Sequence, residues 1–179
     1  MFFPKKIITK SKEETKVVAY DFAKKILKKA RQNKNNAIII GLIGDLGAGK
    51  TTFSQGFAKG LEIKQKIISP TFVILKSLKI TKKSKIQNPK SKTNSKPKIQ
   101  TKHGSQNINF QNFIHIDAYR LENPSELLSL NWKKLIDNPQ NIILIEWADK
   151  IKKILPENAI LIELKTIKEN FRTIKIKGL

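Results

Sequence analysis

No cysteine occurs among the 179 residues, and arginine is nearly absent, with Arg31, Arg120 and Arg172 standing beside 33 lysines. Without thiols the chain cannot form disulfides, thiolate metal sites or iron–sulfur clusters, and it has no cysteine nucleophile. Long apolar runs are also missing. The longest, Ala37–Ile43, falls far short of the roughly 20 residues needed to span a bilayer. The opening MFFPKKIITK lacks the sustained apolar stretch and small-residue cleavage site of a secretory signal. These absences lead to the expectation of a soluble, cytoplasmic protein with no membrane partner. Acids are scarce too, 14 against 36 basic residues, for a formal net charge of +22.

A charge of that size neutralises phosphates and steers polyanions. The shortage of arginine argues against a base-reading protein, because bidentate contacts to phosphates and base edges favour the guanidinium fork. The 28 isoleucines and 14 asparagines beside the lysines are equally compatible with a compositional bias of the genome. Position along the chain is more telling. Lys76–Lys102 holds ten lysines and no acid, so the other 152 residues carry +12. From Thr81 to Asn109 the chain is rich in Lys, Ser, Asn, Gln and Pro, and such a segment cannot offset its ordering entropy by burial. The expectation is a single domain over 1–179 carrying a lysine-rich insertion over 79–112, because neither flank alone supplies a full sheet.

The periodicity predicts alternating strands and helices. Ser11 followed by Glu14 reads as a capping box, and the apolar stripe Val18, Ala19, Phe22, Ala23, Ile26 and Leu27 predicts a helix to about Ala30. Ala37–Ile43 has no polar alternation, which suits a strand covered on both faces. A glycine-rich turn and a helix over about Lys50–Leu61 follow, then strands Phe72–Leu78 and Phe113–Ile116. Asn123, Pro124 and Glu126 signal a helix start, with the helix expected to run to Ile136. Strand Ile142–Ile145, a short helix to about Leu155, and strands Ala159–Leu164 and Phe171–Lys177 close the chain, the last two as an antiparallel hairpin edge. The fold class expected is α/β, a three-layer domain with a mixed, mostly parallel sheet.

The strongest chemical signal is Gly44-Asp45-Leu46-Gly47-Ala48-Gly49-Lys50-Thr51, followed by Thr52. It matches G-x-x-x-x-G-K-[ST] in full, between an apolar strand and an amphipathic helix. Glycines let the backbone wrap an anion with its N–H groups turned inward. Lys50 supplies a point charge for outer phosphates, Thr51 a hydroxyl for magnesium, and the helix its positive end. The domain is therefore P-loop NTPase-like.

The guanine-reading Asn-Lys-x-Asp pattern is missing. Asn33-Lys34-Asn35-Asn36 lacks the Asp and precedes the loop, so ATP is favoured over GTP. A magnesium-bound nucleotide needs a carboxylate at the end of a neighbouring strand. Asp117 and Glu146 both occupy such ends, where an open α/β sheet forms its ligand crevice. His115 alternates with Asp117 along its strand, a placement equally suited to the active face and to packing. Trp147, directly after Glu146, is compatible with shielding the site or with ending a core strand.

Taken together, Gly44–Thr52, Ile68-Ser69-Pro70-Thr71-Phe72, His115-Ile116-Asp117-Ala118-Tyr119-Arg120 and Ile145-Glu146-Trp147 resemble the ordered motifs of the bacterial TsaE (YjeE) family. The resemblance covers about Ser11 to Leu164, apart from the insertion. It implies a magnesium-dependent ATPase, weak alone, needed to make threonylcarbamoyladenosine at position 37 of tRNA. It further implies action on TsaD and TsaB homologues, with tRNA met through that complex or by the lysine-rich insertion. By the same resemblance, Lys50 would contact the β- and γ-phosphates, Thr51 and Glu146 would hold Mg2+, and Asp117 would orient water for hydrolysis. Ser69 and Thr71 would sense the γ-phosphate, while Tyr119, Arg120, Trp147 and His115 would support the site or a partner surface. Two positions depart from the family pattern, Ala148 where Pro is frequent and Asn131 where Gly is frequent.

Two other functions are compatible with parts of the sequence. A small-molecule or nucleoside kinase could use the same loop, but such enzymes usually need several arginines at the acceptor, and only Arg120 lies in a suitable core loop. A lysine-rich nucleic-acid-binding module would interleave stacking rings with its charges, and Lys76–Lys102 contains no aromatic residue.

Overall fold

The computed structural model describes residues 5–29, 35–67, 74–80 and 110–178. Seven strands form one sheet: β1 (Lys6–Thr9), β2 (Ile38–Ile43), β3 (Leu75–Lys79), β4 (Asn112–Asp117), β5 (Asn141–Glu146), β6 (Ile160–Lys168) and β7 (Phe171–Lys177). Their spatial order is β1-β7-β6-β2-β5-β4-β3. The central pairs β6·β2, β2·β5 and β5·β4 are parallel. The outer pairs β1·β7, β7·β6 and β4·β3 are antiparallel. The sheet is thus mixed, and it is evenly divided among the described residues instead of mostly parallel. The hairpin β6–β7 forms as expected from its alternation, but β1 covers it, so β7 is not an edge. A four-residue strand, KIIT, gives too little periodicity to identify from sequence.

Ser11 caps α1 (Lys12–Lys29) by accepting the Glu14 amide at 3.0 Å, while Glu14 accepts the Lys10 amide at 2.7 Å. The box therefore closes one residue earlier than its usual reciprocal bond. Ala19, Phe22, Ala23 and Ile26 face inward and meet Phe53 and Phe57 of α2 (Lys50–Gly60), with Ile40, Leu42, Phe113, Ile142 and Leu144 from the sheet. The opposite face, Ile39, Ile114, Ile116, Ile143 and Ile145, packs against α3 (Ser125–Ser129), α4 (Trp132–Ile136) and a 3-10 segment, Ala148–Ile154. Three layers result.

The single helix expected from Asn123 to Ile136 is broken in two. Asn123 does cap its start, accepting the Ser125 amide at 3.0 Å, and Glu126 accepts the Asn123 amide at 2.9 Å. At Asn131, however, φ is 59° and ψ 35°, a left-handed conformation that stops a helix and that Gly and Asn adopt most readily. That explains how Asn serves where the resembling family often has Gly. Ala148, the other departure, is fully buried against Gly41, where a Cβ on that glycine would lie 2.7 Å from the Ala148 Cβ.

β3 and β4 are neighbours in register, Leu75 opposite Ile116 and Lys79 opposite Asn112. Both ends of the lysine-rich segment therefore belong to one hairpin at a sheet edge, while residues 81–109 lie outside the described residues. No described helix is long and apolar enough to cross a membrane.

The α1–α2 contact depends on two glycines one turn apart. A Cβ on Gly56 would lie 2.3 Å from the Lys16 carbonyl oxygen, and one on Gly60 2.6 Å from the Ala23 Cβ. Alanine at position 56 favours the helix intrinsically by roughly 1 kcal/mol, but the Lys16 backbone cannot rotate away. Gly56→Ala is expected to destabilise the chain by about 1–3 kcal/mol, read from urea unfolding. A more stable variant would contradict the close approach.

Candidate functional site

The site grows from the period-2 alternation of the two central strands. Along β4, Phe113 packs into the α1–α2 core, so His115 and Asp117 share that side; along β5, Ile142 and Leu144 do the same for Glu146. Parallel pairing sets Asp117 directly beside Glu146 at the C-terminal strand ends. On the neighbouring strand the chain leaves β2 at Ile43 and turns into α2 through the phosphate loop. Gly44, Gly47 and Gly49 have φ of 149°, 80° and 100°, conformations that side chains resist. Gly44 has no room either, since a Cβ there would lie 2.2 Å from the Leu164 carbonyl oxygen.

Glu146 is buried, 1% exposed, yet fully engaged. Its Oε2 accepts the Thr51 hydroxyl at 2.8 Å. Its Oε1 accepts the Ser54 hydroxyl at 2.8 Å and lies 2.9 Å from His115 Nε2. An ionised carboxylate only accepts, so His115 donates through Nε2. Burial pushes the Glu146 carboxyl up, but the bonds and charge of His115 and the hydroxyls of Ser54 and Thr51 outweigh it and hold the carboxyl below its ordinary value. His115 is itself fully buried, stacks on Phe113 at 6.3 Å, and leaves Nδ1 without a partner. Packing and positioning thus coincide in this one ring.

Lys50 Nζ donates to the carbonyls of Gly44 at 2.5 Å and Asp45 at 2.8 Å, and lies 3.4 Å from the centre of the Trp147 ring. Burial lowers its pKa; Glu146, Asp149, Asp117 and Asp45 oppose that fall. Trp147 sits at φ 59°, ψ 43°, a strained conformation for a bulky residue, costing roughly 1–3 kcal/mol. Tyr119 braces it, ring to ring at 5.0 Å. The Asp117 carboxylate is oriented by the Tyr119 amide, which donates to its Oδ1 at 3.0 Å.

These groups open onto a cavity of about 540 Å³. Gly47, Gly49, Lys50, Thr51 and Thr52 form its floor, with exposed Leu46 at the rim; Asp117, Tyr119, Glu146 and Trp147 form one wall. Asp45 and Ala48 shape the loop from behind, the Ala48 amide donating to the Asp45 carbonyl at 3.1 Å. Arg120 is exposed in the turn after β4 and does not line the cavity. Ser69 and Thr71 lie outside the described residues.

Two features escaped the sequence reading. Ser54, one turn after Thr51, grips Glu146; the i, i+3 spacing from Thr51 was a usable signal. The cavity is also lined by Lys12 of α1, Glu169 and Asn170 of the β6–β7 turn and Arg172 of β7. The alternation of Arg172 with Ile174 and Ile176 placed Arg172 on the site's face of the sheet, but nothing local placed β7 beside the loop.

A nucleotide fits these residues. The glycine cradle admits no Cβ at Gly44, a buried lysine and a helix N-terminus face one cavity, and Thr51 with Glu146 offers oxygen ligands suited to magnesium.

Comparison with known proteins points to one family. The family model described as "Threonylcarbamoyl adenosine biosynthesis protein TsaE" matches residues 9–88 and 97–174, so only 89–96 of the lysine-rich segment fall between its two parts. A Bacillus subtilis protein named "tRNA threonylcarbamoyladenosine biosynthesis protein TsaE" is 33% identical over 76% of this chain and 66% of its own length. The same-named protein of Rickettsia prowazekii is 34% identical over 93% of this chain and 90% of its length. The crystal structure of Bacillus subtilis YdiB superposes with a TM-score of 0.58 at 25% identity, covering 96% of this chain and 82% of that one.

The depressed Glu146 pKa carries a pH dependence. Between the folded-state value and the ordinary carboxylate value the unfolded chain binds more protons, so the stabilisation is complete above that window and lost as pH falls through it. Glu146→Gln is expected to cost about 1–3 kcal/mol at pH ~7, with the gap to the native chain narrowing towards pH ~4. Urea unfolding at both pH values measures this; an unchanged gap would refute the coupling.

Proposed function

The chain belongs to the TsaE family, whose members are P-loop ATPases of tRNA threonylcarbamoyladenosine biosynthesis, and on that premise we propose that it is a magnesium-dependent ATPase whose nucleotide cycle acts on TsaD and TsaB homologues in the cytoplasm. The observation that carries this reading is the convergence of Lys50, Thr51, Asp117 and Glu146 on one cavity beneath a phosphate loop. The loop amides from Gly44 to Thr52 and Lys50 would bind the phosphates of ATP. Thr51 and Glu146 would hold Mg2+, which when bound supplies charge neutralisation at the transferring phosphoryl group. Ser54 and His115 keep the Glu146 carboxylate ionised and aimed. Asp117, oriented by the Tyr119 amide, would position the attacking water. Trp147, braced by Tyr119, covers the Lys50 ammonium, and in that partly desolvated place its attraction for phosphate is stronger than in water. Ser69 and Thr71 would serve as the segment that senses hydrolysis.

The same reading treats residues 1–179 as one domain and 79–112 as a lysine-rich insertion. Its nine lysines would steer the protein towards a tRNA-bearing assembly, a contribution that weakens with salt.

Two measurements test these assignments. Asp117→Ala should lower ATP turnover in the presence of the TsaD–TsaB complex by on the order of 10²-fold or more while ATP still binds; unchanged turnover would remove Asp117 from the chemistry. Deleting residues 84–106 should weaken association with the tRNA-bearing complex at low salt and flatten its salt dependence. Equal affinity and slope in both proteins would leave the insertion without a steering role.

A further inference from the structure

Arg172, the second residue of β7, lies on the same side of the sheet as Ile174 and Ile176, and it is buried, 6% exposed. Its stem lies against the phosphate loop, with Cδ and Nε each 3.0 Å from the place a Cβ on Gly49 would take. The loop glycine next to Lys50 is thus in contact with this arginine. Nη1 donates to the Asn170 carbonyl at 3.1 Å, whereas Nε is buried without a partner. No carboxylate among the described residues lies within the 4.0 Å of an ion pair with it, Glu169 in the adjoining turn included. Glu146, across the cavity, is already engaged by Thr51, Ser54 and His115.

A buried cation without a counter-charge is unfavourable, since it has given up water and gained little in exchange. Such a group gains most when an anion arrives, so its burial in the free protein translates into affinity for that anion. Arg172 lines the cavity that holds Lys50 and the N-terminal end of α2, where phosphate oxygens are already favoured. A guanidinium fork also matches phosphate oxygens two at a time, which an ammonium cannot do.

We propose that Arg172 is a nucleotide-binding residue that pairs with the polyphosphate and so completes the phosphate site from the β7 side. The proposal rests on the reading of the cavity as a nucleotide site. It assigns to Arg172 the role of a second counter-charge beside Lys50, which in the free protein donates to the loop carbonyls.

The test uses the full chain and its Arg172→Met, Arg172→Lys and Lys50→Ala variants, titrated calorimetrically with ATP, ADP, adenosine and inorganic triphosphate, with urea unfolding of each protein free of ligand. Arg172→Met is expected to bind ATP and triphosphate on the order of 10- to 100-fold more weakly and adenosine as the native chain does. Without ligand it should be at least as resistant to urea, because it removes a buried unpaired charge. Arg172→Lys should recover only part of the ATP affinity. Native ATP affinity in both Arg172 variants would overturn the proposal, as would equal losses for ATP and adenosine, which would indicate stacking on the base. Reduced urea resistance of Arg172→Met with unchanged ATP affinity would also overturn it, leaving a packing role. Should Arg172→Met fail to fold, ATP affinity of Arg172→Lys equal to that of the native chain would decide against it. A native chain that binds none of the four ligands would sink the nucleotide site itself, whereas native binding lost in Lys50→Ala and kept in both Arg172 variants would sink only Arg172.

Discussion

Beneath the first turn of α2, the Glu146 carboxylate is held by the hydroxyls of Thr51 and Ser54 and by the His115 imidazole. Burial by itself would favour the neutral acid; three donors reverse that preference, so a charge persists in an almost dry location. The same bonds tie together β4, β5 and α2. They fix how the helix sits over the sheet and hence where its N-terminus and the phosphate loop point. Remove the carboxylate and Thr51 and His115 lose this acceptor, while Ser54 keeps the Lys50 carbonyl at 3.0 Å.

Around that joint, cationic groups are arranged with different degrees of satisfaction. Lys50 is shared between two loop carbonyls and the face of Trp147. Arg172 has one backbone carbonyl and an unpaired Nε. Strain accompanies this asymmetry: Trp147 adopts a left-handed backbone that packing against Tyr119 and the Lys50 ammonium keeps in place. Structural cost is therefore concentrated at the cavity, while the isoleucine-rich strands and the close α1–α2 packing supply compensating stability elsewhere.

The net charge divides along similar lines. Ten of the lysines fall between Lys76 and Lys102 with no acid among them, and the described strands on either side form a single hairpin. The chemistry at the cavity instead depends on a few residues of both signs.

Much of the site was readable in the chain alone. The G-x-x-x-x-G-K-T spacing, the strand-end positions of Asp117 and Glu146, and the alternation of His115 with Asp117 all express local periodicity, which a strand or a helix start imposes wherever it occurs. The capping of α1 and the β6–β7 hairpin are local in the same sense. The break at Asn131 was not legible in the periodicity, which continues across it; the one sequence signal was an Asn where the family often has Gly, and the packing of Trp132 and Leu127 in one core goes with the turn. Nor could the outer strands be placed: β1 and β7 meet by pairing residues more than 160 positions apart, as in Lys6 opposite Lys175. The pairing of β6 with β2, as in Ile40 opposite Ile160, carries β7 and its Arg172 to Gly49, and the α2–β5 docking brings Ser54 to Glu146. Spacing along the chain determined which residues could bind phosphate; which of them share one cavity was decided by sheet register and helix docking, because both are settled by burial between distant segments.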